Sequence, residues 1–281
     1  MLTPLETFYD AATGDRMPLP PVLAGLYGQL RIARPPDRPY VIGNFVSTLD
    51  GVTAFDDPLR GGGGEISGHN AHDRMLMGLL RAVSDAVIVG AGTLRAEPLH
   101  IWTPERVFPD LAGEFASLRN ALGLAPQPTN VFVSASGDLD LGLSVFHHGV
   151  PVLIVSTTAG AAHLRGQKTP DSVRIVHRSN GSRTEGTKVT SAAVLAAIQE
   201  VSPARIVLLE GGPRLMADFF GERKLDELFL TVAPQVAGRH PSTDRPGLVA
   251  GRLFSPDDPL WGRLVSVRRA ESHLLLRYSF R

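Results

Sequence analysis

Residues 205–220 read RIVLLEGGPRLMADFF, and the reading of this stretch decides the fold. Ile206, Val207, Leu208 and Leu209 form a short apolar run with two β-branched members, the composition of a strand buried on both faces of a parallel sheet. Glu210 stands at the carboxyl end of that strand. Gly211-Gly212-Pro213 then turns the chain, with Pro213 placed to open a helix. Leu215, Met216, Phe219 and Phe220 recur at helical spacing and give the helix one apolar side. A glycine turn that leads into a helix N-terminus presents backbone N–H groups and a partial positive charge, which suits a phosphate. Glu210 on the same rim is placed to face a small substrate.

Outward from this unit, the same pattern repeats. Residues 40–49, YVIGNFVSTL, form a strong strand that Asp50-Gly51 ends as a turn dipeptide. Asn44, Ser47 and Thr48 set polar atoms in it, either to bond a nearby loop or to meet a ligand at the carboxyl edge, where open α/β sheets bind. Residues 85–89, DAVIV, run directly into Gly90-Ala91-Gly92-Thr93. No third glycine completes G-x-G-x-x-G and no GK[ST] completes a P-loop. What remains is a short turn whose N–H groups and Thr93 hydroxyl fit a pyrophosphate. Residues 130–134, 152–156 and 173–176 read as further strands, the first ending in Ser134-Ala135-Ser136-Gly137. Helices are expected over 69–83 with Ser67 as N-cap, over 111–122, over 157–164 and over 191–201. Residues 225–232 add a strand, and 263–268 with 272–278 close the chain as an antiparallel pair.

Strand–helix alternation from Tyr40 to Val232 predicts an α/β domain: one mainly parallel sheet, helices on both faces and an antiparallel C-terminal edge. Residues 40–281 are expected to form this single domain. Residues 1–39, broken by Pro18, Pro20, Pro21, Pro35, Pro36 and Pro39, are expected to be an extension in which 2–8 cap the fold and 22–32 form a short helix. Asp56, Asp57 and Pro58 precede four glycines at 61–64 in a loop, and 178–188 read as another loop.

Composition removes several function classes. A formal net charge of +0 gives no global field for nucleic acid or an anionic membrane. Cysteine is absent, which excludes disulfides and thiolate metal sites and fits a cytoplasmic protein. No apolar run reaches the roughly 18 residues of a membrane span. His69, His72 and Asp73 have metal-ligand spacing, but no further ligand group accompanies them, so no metal is expected.

The ordered set Ser47-Thr48-Leu49-Asp50-Gly51, Leu80-Arg81-Ala82, Val89-Gly90-Ala91-Gly92-Thr93, Glu210-Gly211-Gly212-Pro213 and Leu225-Asp226-Glu227-Leu228 resembles the reductase domain of bacterial riboflavin biosynthesis. The resemblance implies a three-layer dihydrofolate-reductase-like fold from about Tyr40 to the C-terminus. It implies NADPH-dependent reduction of 5-amino-6-(5-phosphoribosylamino)uracil to the ribityl product. It places Ser47, Ile66, Ser67, Gly90, Gly92, Thr93, Ser134, Gly211, Gly212, Pro213, Arg214 and Leu215 at the cofactor. Asn44, Arg81, Glu97 and Glu210 fall to the substrate, Arg81 as a phosphate partner. The zinc deaminase that usually precedes this domain has no counterpart, because H-x-E followed by P-C-x-x-C is missing, so a stand-alone reductase is expected. A homodimer is expected too, through apolar edges at 265–267 and 274–276.

The chain departs from the family pattern at two places. Glu65 replaces a tryptophan before Ile66, and Ala96-Glu97-Pro98-Leu99-His100 lacks the second phosphate-binding arginine, for which Arg106 or a partner chain is the expected replacement. Reduction of an open-chain imine calls for an acid near the nitrogen, and Asp50 and Glu210 stand as unranked candidates. The competing roles are a turn cap for Asp50 and a strand-end ion pair with an arginine for Glu210; Arg81 is alternatively a helix-end charge. A dihydrofolate-type or other small-heterocycle reductase, or a non-catalytic NADPH-binding protein, fits the same motifs.

Overall fold

A computed structural model describes residues 2–55, 57, 62–178 and 188–281. Asp56, Pro58 and Gly61, with all but the two ends of the loop expected over 178–188, lie outside the described residues. The strands are β1 (Glu6–Asp10), β2 (Asp15–Arg16), β3 (Arg31–Ile32), β4 (Tyr40–Ser47), β5 (Ala86–Gly90), β6 (Thr129–Ser134), β7 (Val152–Ser156), β8 (Val173–His177), β9 (Ile206–Leu209), β10 (Glu227–Val232), β11 (Arg263–Ala270) and β12 (His273–Ser279). The helices are α1 (Pro21–Tyr27), α2 (Gly63–Ser67), α3 (Ala71–Val83), α4 (Ala91–Ala96), α5 (Pro104–Val107), α6 (Ala112–Ala121), α7 (Thr158–Arg165), α8 (Ser191–Val201) and α9 (Pro213–Gly221).

All strands but β2 and β3 join one ten-stranded sheet in the order β1-β11-β12-β10-β4-β9-β5-β6-β7-β8. From β10 to β8 every neighbouring pair is parallel. β12 turns the sheet antiparallel, and β11 and β1 continue it so. This is the expected three-layer class, with the mainly parallel sheet in the middle. Its two faces follow from alternation along each strand. Ile42, Val87, Phe132 and Leu208 point into a core with Leu76 and Leu79 of α3 and Phe115 of α6. Their neighbours Val41, Ile88, Val131 and Val207 meet Val194 and Ile198 of α8 and Met216 and Phe219 of α9. Near-continuous apolar runs at the centre of the sheet record burial on both sides.

Several local expectations need correction. The helix expected over 22–32 is shorter, α1, because the chain then extends into β3 against β2. Ser67 does not cap the helix after it: it ends α2, and the Asn70 side chain accepts the N–H bonds of His72 and Asp73 to cap α3. Gly90-Ala91-Gly92-Thr93 is not an open turn but the end of β5 and the first turns of α4. His72 is buried and its Nε2 lies 2.9 Å from the Thr3 carbonyl oxygen, which ties the N-terminal segment to α3.

The C-terminal pair is placed differently from the sequence reading. Residues 265–267 and 274–276 lie on β11 and β12, which are interior to the sheet because β1 covers β11. The open edge on that side is β1 itself, exposed along its length. The first residues thus cap the fold as an edge strand, with Tyr9 opposite Val267 and Asp10 opposite Ser266.

Candidate active site

Parallel strands end at one rim, and this is what gathers the site. Ser47 ends β4, Gly90 ends β5, Ser134 ends β6, and Glu210 follows β9, which lies between β4 and β5. The two glycine turns are in contact. A Cβ on Gly211 would come 2.3 Å from the Gly90 nitrogen, so only glycine lets β9 and β5 close here. Gly212 has φ 36°, a conformation that L side chains rarely adopt. Its N–H donates to Thr93 Oγ1 at 3.0 Å, which joins the start of α9 to α4. Pro213 opens α9 without an N–H, and Met216 N–H donates to the Gly212 carbonyl at 3.0 Å. The amides between them, on Arg214 and Leu215, are helix-start donors with no intrahelical acceptor, a cradle that fits a phosphate.

Glu210 sits under this turn, and its partner is Arg81 near the end of α3. Arg81 Nε donates to both carboxylate oxygens at 3.0 and 3.1 Å, and Nη2 donates to Oε2 at 2.7 Å. Arg81 Nη1 donates to the Thr103 carbonyl at 3.1 Å. The side chains are 1% and 5% exposed, so this is a buried, bidentate pair. Arg119 Nη1 steadies the base of the pair by donating to the Arg81, Ala82 and Ser84 carbonyls at the end of α3. Arg81 therefore faces Glu210, the arginine–carboxylate alternative, with Nε, Nη1 and Nη2 each bonded within the protein.

Asp50 is occupied as well. Its carboxylate accepts from the Thr48 hydroxyl at 2.5 Å and from the Ala237 and Gly238 amides at 3.1 and 2.8 Å. The Thr48 bond first, then these amides, lower its pKa to about 2. It acts as the cap of the turn after β4. Asn44 and Ser47 are buried along β4, and Ile66 and Ser67 are buried in α2, where Ile66 packs on Val46 and Ala233. Ser134 is on the rim two strands from β9, with Oγ accepting from Gly137 N–H at 3.2 Å.

Glu97 ends α4, and its Oε1 lies 2.6 Å from the place a Gly62 Cβ would take, so it reaches the start of α2. Burial raises its pKa; the charge of Arg81 opposes this and that of Glu210 adds to it. His100, which the sequence reading gave no role, has Nδ1 3.5 Å from Glu97 Oε2. Its ring stands edge-on to Trp102 at 4.9 Å, and its Nε2 is buried without a hydrogen bond. Burial, with Arg81 and Arg106 nearby, lowers its pKa to about 2. The only signal in the sequence was the i, i+3 spacing from Glu97. Among the described residues, no group of three His, Cys, Asp or Glu is placed to hold a metal ion.

Rim, glycine turns and buried pair can now be set beside known proteins. No curated protein matches the chain. Among solved structures, Acinetobacter baumannii RibD is 22% identical with a TM-score of 0.63, over 86% of this chain and 58% of its own. The chain thus spans a little over half of that protein. A pyrimidine reductase-like protein from Corynebacterium diphtheriae is 17% identical with a TM-score of 0.65, over 92% and 98% of the two chains. Saccharomyces cerevisiae riboflavin biosynthesis reductase Rib7 is 13% identical with a TM-score of 0.58. At these identities the likeness is one of fold. The profile of the RibD C-terminal domain matches residues 39–275, which run from the strand β4 through every rim residue described above. With most of its length accounted for by that match, the chain belongs to the RibD C-terminal domain family.

Proposed function

We propose that this chain reduces 5-amino-6-(5-phosphoribosylamino)uracil to its ribityl product with NADPH. The carrying observation is the joined pair of glycine turns on one rim, Gly211-Gly212 against Gly90 with Thr93 bonded to Gly212, in a chain of this family. The residues fit a dinucleotide. The Arg214 and Leu215 amides receive its pyrophosphate, Thr93 and Gly212 hold the turn, and Ser134 extends the contact along the rim. Gly90 and Gly92 keep α4 close to the cofactor, and Ser47, Ile66 and Ser67 line the side toward α2. A reduced nicotinamide supplies the reducing equivalents. The protein positions the pyrimidine beside Asn44 and Glu210 and keeps water away. Arg81 fixes the orientation of the Glu210 carboxylate, whose remaining lone pair is placed to accept an N–H bond from a heterocycle.

The test is titration of NADPH fluorescence followed by turnover assays. Binding at micromolar concentration and oxidation of NADPH by the phosphoribosylaminopyrimidine are the expected results; no binding at high micromolar concentration overturns the reading. One observation favours a second substrate class. Arg81 is bound to Glu210 and Thr103, and Arg106 is exposed on α5, so neither arginine expected at a phosphate is a buried, uncommitted partner for one. Faster turnover of dihydrofolate than of the phosphorylated pyrimidine would select a small-heterocycle reductase. A cytoplasmic setting accords with the absence of cysteine, and a homodimer with the open β1 edge, where Phe8 and Tyr9 are exposed.

A further inference from the structure

Resting on the reductase reading, we propose that His273 is a positioning residue of the cofactor site: its ring latches α2, the helix that brings Ile66 and Ser67 to that site. His273 opens β12, opposite Ala270 of β11 across a short turn. The next residue, Leu274, pairs with Val232 of β10, and Val232 pairs with Ser47 of β4. The C-terminal hairpin therefore delivers His273 to the same rim on which the parallel strands end.

The short helix α2 depends on an outside hold. At five residues it is too short to persist through its own hydrogen bonds. Its joint to α3 passes through Gly68 at φ 60° and His69 at φ 54°, a left-handed pair whose second member is not glycine. On one side Ile66 packs on Val46 and Ala233. The Gln235 side chain donates to the Glu65 carbonyl at 3.4 Å, a long bond. The end of α2 is held by His273, whose Nε2 lies 2.9 Å from the Ser67 carbonyl oxygen.

Asn70 decides which ring nitrogen carries the hydrogen. Its Oδ1 accepts the His72 and Asp73 N–H groups at 2.9 and 3.1 Å, so the group it turns to His273 Nδ1, at 3.1 Å, is Nδ2. An amide NH2 only donates, so Nδ1 is the bare acceptor and Nε2 bears the hydrogen given to Ser67. A neutral ring thus joins the end of α2 to the cap of α3, from a residue 206 positions beyond Ser67. Its two bonds point in different directions and fix both its rotation and the place of Ser67. Without the ring, the Ser67 carbonyl and the Asn70 amide each lose a partner, and α2 is left to shift on its Ile66 contact. The cost falls on cofactor binding more than on the chemical step, because α2 lines the site and His273 touches no reacting atom.

The test uses the full chain. The 15N side-chain signals that vanish in His273→Gln are expected to be those of a neutral ring with its hydrogen on Nε2; a ring protonated on Nδ1 overturns the proposal. NADPH is then titrated at a temperature where circular dichroism shows each variant folded. His273→Ala is expected to raise Kd about 5- to 10-fold, with KM for NADPH rising more than kcat falls. His273→Gln sets an amide NH2 at the Nε2 position, where it donates to Ser67, and is expected to recover most of the affinity. His273→Asn sets an oxygen at the Nδ1 position, serves Asn70 alone and is expected to recover little. Unchanged affinity in His273→Ala, or equal affinity in the Gln and Asn variants, overturns the proposal and leaves the reductase reading standing. A wild type that binds no NADPH overturns both. If His273→Ala does not fold, the Gln and Asn variants decide by the same comparison.

Discussion

Arg81 and Glu210 show what a single pair contributes. Each alone is a charge that burial penalises by several kcal/mol, and the bidentate geometry offsets that cost only while both are present. Arg81→Met would leave the Glu210 carboxylate buried and unpaired. The expected loss is about 3–5 kcal/mol by urea unfolding, with much of it recovered in Arg81→Met/Glu210→Gln. Equal stability of the single and double variants would show that the pair does not hold the site. The residue scale is also where sequence reading reached least far. Arg81 and Glu210 are 129 positions apart, and Arg81 suits a phosphate as well as a carboxylate. Only the approach of α3 to the end of β9 chose between them.

Among the elements, the turn between β9 and α9 carries two glycines with different duties. Gly211→Ala forces a Cβ to 2.3 Å from the Gly90 nitrogen, and backbone cannot yield there as a flexible side chain would. Gly212→Ala meets nothing nearer than Thr93 Oγ1 at 3.7 Å, so its cost is that of a strained φ, about 1–3 kcal/mol. Thermal unfolding should therefore show Gly211→Ala as the more damaging change. Gly212→Ala should weaken NADPH binding more than folding, because it shifts the amides that open α9. The reverse order would count against the turn as the proposed cofactor contact. The bounds of α9 are legible, since Pro213 and the apolar spacing of the helix act locally. The α3 cap is not. Ser67 and Asn70 are both capping residue types, and the choice went to Asn70, whose Nδ2 also lies 3.1 Å from His273 Nδ1 on β12.

For the whole molecule, the sheet explains both the shared rim and the treatment of its edge. Parallel strands must return through helices, so their carboxyl ends gather on one side, and alternating faces bury both surfaces. On the far side, β1 covers β11 and places Phe8 and Tyr9 at the border. Removal of residues 1–12 should uncover a long strand edge with Val265 and Val267. Light scattering is expected to show association beyond that of the full chain. An equally monodisperse truncated chain would show that β1 is dispensable for protecting that edge.

The sequence by itself determined which segments become buried strands, where glycine interrupts them and which helices pack on them. Those properties depend on neighbours a few residues apart, through apolar periodicity and backbone preference. The tertiary structure alone decided that Arg81 meets Glu210, that Asp50 is occupied by the 237–238 amides and that Glu97 lies beside His100. A charge finds its partner through space. Burial then sets its protonation, and neither quantity exists until elements far apart along the chain have docked.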